Sequence, residues 1–536
     1  MAQISFKPSH QTIRWIGPWL LGGLLYRSVI AWAMPPGFDE AYYYLYTRHL
    51  DWSYFDHPLM VALTSGFGLW LTGMVSPLTL RLGALGLFTG SLYLLYRTGQ
   101  RLLGESAGRW SLAIASLIPI FFLALGTFAA PDNGLIFFWT AVLWVSACEF
   151  FPSGPYRPTA RIVLIGLLLG LACLSKYHGF VFGLSLVGFC ATSPEHRRAL
   201  RSPWTALSLL LFGLVLLPLL YWNATHGWIS FRFHLSSRFD SSLTSTYSLS
   251  NLLGVLAAEL GYLFPTLGLP LWWVSVRETL AQLRRMVAVK PHKPDPLLAQ
   301  KRFLLWCGLP TAVGFTLLGG LTPIYPAWPT PGLWSLTPLL GQTVGEWQAR
   351  SRPAVRRWLG GSGLAIGSLL LFALLHITLG TLQKPSQYAL FGGLIAPQAD
   401  PSTTLIDVMQ LRQRLIEDSE VRSAIAAADF LVTPEFWLSG YVAIAVEPLT
   451  EAPVMAFSQD PRGHALWFQP ADWLGQDAIF ISIADFSQAE TIETYQPYFE
   501  TFKEIAQVKT RRGGAVSEVF YLYRAANLVK AYEYPY

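Results

Sequence analysis

Charge is what this chain has least of. Asp, Glu, Lys and Arg make up 13% of its 536 residues against 52% hydrophobic, and mean hydropathy is +0.39. A soluble globular domain carries about 25% charged residues, so the composition excludes one and reads as a polytopic membrane protein. Cysteine is scarce too. Cys148, Cys173, Cys190 and Cys307 all fall inside apolar segments, with neither metal-ligand spacing nor a disulfide framework. Internal repeats and low-complexity tracts are absent, which excludes a solenoid. The net charge of +6 and pI near 9.0 would suggest nucleic acid in a soluble chain. In a membrane protein they reflect Lys and Arg retained in cytoplasmic loops, and nucleic acid is discounted as a partner.

Apolar runs are plentiful. Trp15–Met34, Leu78–Tyr96, Trp110–Ala129, Gly134–Phe151, Ile162–Leu174, Gly179–Ala191, Trp204–Trp222, Leu252–Val276, Phe303–Leu321, Trp328–Val344 and Leu359–Leu379 give about eleven crossings, most near the length that a bilayer needs. Leu59–Gly73 reads as interfacial. Trp15–Met34 is taken as an uncleaved first span, although Ala31-Trp32-Ala33 resembles a signal-peptidase site. With a cytoplasmic N-terminus, the basic residues Arg97, Arg101 and Arg109, then Arg157 and Arg161, then Arg197, Arg198 and Arg201, then Arg277 to Arg302, then Arg350 to Arg357 fall in alternate loops, as the positive-inside rule requires. An odd count puts residues 384–536 outside. That stretch contains strand-like runs at Ala478–Ile483 and Val519–Tyr523 and helix-period apolar positions at Thr404–Ala427. The expected fold class is therefore mainly α: a membrane helix bundle over residues 1–383, with a small extracytoplasmic α/β domain over 384–536.

Outside the basic inner loops, an unusual set of ionisable residues falls on the outer side. Asp39 and Glu40 open the first outer loop and Asp56 and His57 close it. Asp132 sits in the next outer turn, Lys176 and Tyr177 end a span, and Asn223, His226, Arg232 and Arg238 follow Trp222. Each has a plain reading alone: Asp132 as a helix N-cap, Lys176 as an interface-snorkelling side chain, His57 before Pro58 as a turn residue, Arg232 and Arg238 as a solvated loop. Their coincidence on one face is harder to dismiss, since ionisable groups at a membrane boundary are functional candidates by default. Transfer of a sugar from a lipid phosphate fits them. Lys176 and His57 would stabilise the leaving phosphate, Asp39 would take the acceptor's proton, and Tyr42, Tyr43, Tyr44, Trp52 and Tyr54 would pack on sugar faces.

The ordered segments FDEAYYYLYTRHLDWSYFDHPL with Arg81-Leu82, then APDNGLIFFW, LSKYHGFVF, WNATHGWISFRFH and, in the tail, PYFETFKEIAQVKTRRGGAVSEVFYLYR resemble the bacterial family 39 glycosyltransferases of the membrane GT-C superfamily. These are relatives of the protein O-mannosyltransferases and of the aminoarabinose transferase that modifies lipid A. The resemblance implies a polyprenyl-phosphate-sugar donor and single displacement with inversion. It also implies Asp39 as the catalytic carboxylate with Glu40 beside it, His57 and Lys176 with Tyr177 at the donor phosphate, and Asp132 as the second-loop acid. Asp56, Asn223 and Arg232 are expected to support the acceptor or the loops. Two departures stand out. Tyr42 occupies a position where the aminoarabinose transferases carry arginine, and Pro326-Ala327-Trp328-Pro329 lacks the histidine of many relatives' Pro-His-Trp-Pro.

The expected location is the cytoplasmic (inner) membrane and the expected acceptor a lipid, glycan or protein. No cofactor is expected; adjacent acids can hold a divalent metal, but that is not favoured. The rival from another class is a transporter or flippase of a lipid-linked sugar, which calls for charged or broken helices near mid-membrane and for internal symmetry. The sequence shows neither. A sensor anchored by its spans leaves Asp39, Asp132 and Lys176 unexplained.

Overall fold

The computed structural model describes residues 10–234, 246–287, 295–486 and 488–536; Arg238 lies outside them. Helices dominate the first 379 positions. Apolar runs form them, and proline marks two of their breaks, although other prolines such as Pro218 and Pro310 sit inside continuous helices. The expected single span Leu252–Val276 is two helices, Leu249–Leu263 and Pro265–Val287, with a 116° bend between Leu249–Leu263 and Pro265–Arg285. Pro265 denies the helix an N–H and pushes the preceding residue out of helical geometry, and Phe264 takes φ +65°. Trp110–Ala129 is likewise interrupted: its helix ends at Leu117, just before Pro119, and Phe121–Leu125 forms a π-turn. By contrast Arg161–Ser175 and His178–Thr192 are separate helices.

By length and composition, four helices among the described residues could cross a membrane: Pro77–Leu103, Pro131–Phe150, Pro203–Thr225 and Arg352–Leu379. The bent pair makes up to five. The remaining helices of the expected eleven are shorter, or too polar to qualify on their own.

The chain divides into two compact units. The first comprises residues 1–28, 57–61 and 84–368. Its buried Trp139 and Trp334 each donate across the Pro131–Phe150 and Thr330–Arg350 helices, to Ser335 Oγ at 2.7 Å and to Thr140 Oγ1 at 2.9 Å. Backbones come close where Gly308 and Gly332 face each other, the small-residue packing that membrane helices favour.

The second unit comprises residues 29–56, 62–83 and 369–536. Its sheet has the order β2-β1-β3-β5-β4, with β1 Phe430–Thr433, β2 Val454–Ala456, β3 Ala478–Ile483, β4 Phe499–Arg512 and β5 Ala515–Leu528. β1 runs parallel to β2 and β3, and β5 antiparallel to β3 and β4. Every residue of β3 is buried, as suits an apolar central strand. Gly513-Gly514, both at positive φ, close the β4–β5 hairpin as glycines do in a two-residue turn. The helix-period stretch before the sheet forms helices Val408–Glu417 and Ser419–Ala427.

Candidate active site

Within the second unit, the helix Phe38–Arg48 carries the first-loop acids. Gly37 is its N-cap, Asp39 stands at its second position and Glu40 at its third. Glu40 Oε2 accepts the Gly37 N–H at 2.9 Å, the reach-back half of a capping box. The same carboxylate is clamped by Arg81, whose Nε donates to Oε1 at 2.8 Å and Nη2 to Oε2 at 2.6 Å. The other guanidinium protons go to the carbonyls of Ala31, Met34 and Pro35 at 2.8–2.9 Å, groups that the end of helix His10–Ala33 leaves open. Arg81 is 0% exposed and Glu40 4%. Glu40 therefore positions the helix, whereas Asp39 one residue earlier is exposed.

Asp56, at the far end of the loop, is buried. It accepts from the Tyr46 hydroxyl, and its Oδ2 takes Arg462 Nη1 at 3.0 Å. Tyr54 stacks on Tyr46 at 3.8 Å and donates to its carbonyl. Expected sugar-stacking surfaces fail here, because Tyr42, Tyr43, Tyr44 and Tyr54 are at most 3% exposed. Tyr42 meets Phe436 of the helix Phe436–Val446 at 5.1 Å, Tyr42 and Tyr54 both meet Trp467, and the Tyr42 hydroxyl accepts the Gly463 N–H. A Cβ on Gly440 would collide with the Ala41 backbone. Burial raises the Tyr42 phenol well above its ordinary pKa, helped by the charge of Asp56. Only Trp52 of that set stays exposed.

The first unit holds the other candidates. Helix Pro131–Phe150 begins as Phe38–Arg48 does: Ala130 is the N-cap, Asp132 is second, and Asn133, third, accepts the Ala130 N–H through Oδ1 at 2.7 Å. Asn133 does the capping, so the cap reading of Asp132 fails and its carboxylate is left for Lys176. Lys176 Nζ donates to both Asp132 oxygens at 2.9 and 2.8 Å, with the two side chains 11% and 8% exposed. Lys176 is thus held by Asp132 rather than snorkelling. Next to it, the Tyr177 hydroxyl shares a hydrogen bond with Ser230 Oγ at 2.8 Å. The His234 ring lies 4.9 Å from the Tyr177 ring and 6.1 Å from that of half-buried His57.

Residues 56–222 match the model of the dolichyl-phosphate-mannose-protein mannosyltransferase family. The fold is similar to that of ArnT from Cupriavidus metallidurans, solved bound to undecaprenyl phosphate: TM-score 0.59 at 13% identity, covering 95% of this chain and 98% of that one. Residues 56–222 thus resemble the protein mannosyltransferases in sequence, and the chain shares the fold of ArnT. It is also 24% identical over 296 residues to the lipid A galacturonosyltransferase RgtD of Rhizobium johnstonii, a match that spans 54% of this chain and 56% of that protein.

Of the expected residues, His57, Asp132, Lys176 and Tyr177 fall inside the family match and in one unit; Asp39, Glu40 and Asp56 belong to the other. Asn223 is fully buried and donates to the Leu219 carbonyl, while its own carbonyl receives the Trp228 N–H at 2.6 Å. It supports the turn into the short helix Ile229–Arg232, where Arg232 is exposed. Among the described residues no three His, Cys, Asp or Glu side chains group around a metal position. Sequence reasoning gave no role to Arg81, His234 or Arg462. An arginine inside the apolar run Leu78–Tyr96 was a usable signal; Asp460-Pro461-Arg462-Gly463 reads as an ordinary surface turn and gave none.

Proposed function

We propose that this chain is a membrane glycosyltransferase that moves a sugar from a polyprenyl-phosphate donor to a lipid, glycan or protein acceptor on the extracytoplasmic face, by single displacement with inversion. The observation that carries this reading is the exposed Asp39 carboxylate on a helix whose start is fixed by the buried Glu40–Arg81 pair. Asp39 accepts the proton of the acceptor hydroxyl as that oxygen attacks the anomeric carbon. The bond to the phosphate oxygen breaks, and the polyprenyl phosphate leaves with the electron pair. Lys176 and His57, with Tyr177, balance the phosphate charge, Asp132 holds Lys176 in place, and Asp56, Asn223 and Arg232 support the loops. No step is assigned to a metal or cofactor. An arrangement of about eleven crossings, with residues 1–383 in the inner membrane and 384–536 outside, completes the proposal. The lipid phosphate bound to ArnT and the lipid A named for RgtD support a lipid-linked donor and favour a lipid acceptor.

One observation favours the transporter reading: the broken pair Leu249–Leu263 and Pro265–Val287, with the buried carboxylate of Glu259 accepting from Thr316. A single assay separates the two. Purified protein in detergent, given undecaprenyl phosphate carrying radiolabelled sugar, is expected to transfer label without any second compartment, which a pure carrier does not do. Asp39→Asn is expected to lower turnover by about 10²–10⁴-fold, the usual worth of a general base, with melting temperature unchanged. A fully active, well-folded variant removes the assignment.

A further inference from the structure

We propose that Arg462 is a positioning residue for this site, neutralising Asp56 so that the first loop can accept an anionic phosphate at its His57 end. The inference rests on the glycosyltransferase reading above. The loop is acidic, with Asp39, Glu40, Asp51 and Asp56, yet the ligand of that reading is an anion. Two of these charges are paired with arginines: Glu40 with the fully buried Arg81, and Asp56 with Arg462, whose side chain is 22% exposed. Asp56 is the covalent neighbour of His57, so an unpaired carboxylate there would oppose a phosphate that His57 faces.

The placement of Arg462 is specific. Nη1 donates to Asp56 Oδ2 at 3.0 Å and Nε to Asp460 Oδ2 at 3.2 Å, while the guanidinium lies 4.0 Å over the Phe436 ring. Its backbone N–H donates to the Tyr536 hydroxyl at 2.8 Å, and the Tyr536 ring stacks on Phe55 at 5.1 Å. Arg462 itself takes φ +47°, a conformation that disfavours a long side chain. Glycine would relieve that strain, but it would leave Asp56 without this cation. Burial works against its charge, but Asp56, Asp460, Tyr42 and Asp39 outweigh burial and hold the guanidinium above its ordinary pKa. The field of Asp39 thus reaches the same side chain that neutralises Asp56.

Arg462→Gly relieves the backbone strain but leaves the buried Asp56 carboxylate unpaired, so its melting is measured alongside binding. In the full-length protein, with undecaprenyl phosphate as the binding probe and the radiolabelled donor for turnover, Arg462→Gly is expected to weaken binding and raise KM by about 10- to 100-fold, the scale of one charge-assisted contact. The change in kcat is smaller, and the defect shrinks as salt screens the bare carboxylate. Arg462→Lys keeps the charge and stays within about threefold of the parent, with lost planarity the only penalty. The double variant Arg462→Gly/Asp56→Asn regains most of the lost affinity. Wild-type binding by Arg462→Gly overturns the proposal, as does a double variant no better than the single one. Should Arg462→Gly fail to fold, a lysine variant as defective in binding as Asp56 left unpaired by Arg462→Met also overturns it. Absence of binding and turnover in the parent protein instead sinks the glycosyltransferase reading.

Discussion

Asp39 and Asp132 hold the same place in two helices of two different units: second position, behind an N-cap whose N–H is taken by the third residue's side chain. A carboxylate there is favoured by the helix dipole, so local structure treats the two alike. Their neighbours do not. Asp132 is 6% exposed and locked onto Lys176, while the ion pair beside Asp39 is made by Glu40 and leaves Asp39 exposed. The ion pairs differ as well. Arg81 spends every N–H, three of them on main-chain carbonyls and bonds that a smaller cation could not replace; Lys176, among the described residues, donates only to Asp132. The first pair is saturated with hydrogen bonds, and the second leaves one Lys176 N–H without a described acceptor.

This contrast is most sharply broken by removing one partner of the saturated pair. Arg81→Met is expected to lower stability by about 3–5 kcal/mol, the cost of an uncompensated buried charge, and the companion change Glu40→Gln is expected not to rescue it, because the carbonyls of Ala31, Met34 and Pro35 stay unpaired. Melting of the detergent-purified protein measures both. The Asp132–Lys176 pair is expected to behave oppositely. Lys176→Met alone destabilises, and adding Asp132→Asn returns melting to near the parent value. Binding of undecaprenyl phosphate in that double variant stays about 10-fold or more weaker, since the cation is gone. Restored binding there would put the phosphate elsewhere.

Smaller and confined to low pH is the effect of two histidines in the second unit. Burial drives His464 down to about 3, with the charge of His49 adding to it, and drives His49 down to about 4, with Arg48 adding. Both are neutral in the folded protein, so their contribution is complete above the unfolded value near 6.5 and is lost as pH falls toward the folded values. His464 is 0% exposed and bonded to Ser439 at 2.7 Å. His464→Gln is therefore expected to reduce the acid slope of stability below pH 6.5 by about 1.4 kcal/mol per pH unit, read from denaturation across that range. The smallest expected effect tests the shared helix start: Asn133→Ala loses about 1 kcal/mol without changing the Asp132–Lys176 pair.

How far the site was legible follows from the same residues. Asp39, His57, Asp132 and Lys176 stood out because charge is costly in an apolar chain, and that cost is written in composition. The aromatic residues of the first loop misled, because a tyrosine looks the same whether it faces a sugar or a core. Packing against segments some 400 positions away, such as Phe436 and Trp467 on Tyr42, decides that such a ring is buried.

The sequence by itself determined that the chain is built largely of apolar helices, and which side chains are too expensive to be there without a reason. Those are local matters, set by hydrophobic runs, proline and the dipole at a helix start. Which acid is clamped and which is exposed was decided by tertiary structure alone. Arg81 and Arg462 lie 41 and 406 positions from the carboxylates that they neutralise, and a pairing energy between residues that distant depends on distance and burial in space, which no local pattern encodes.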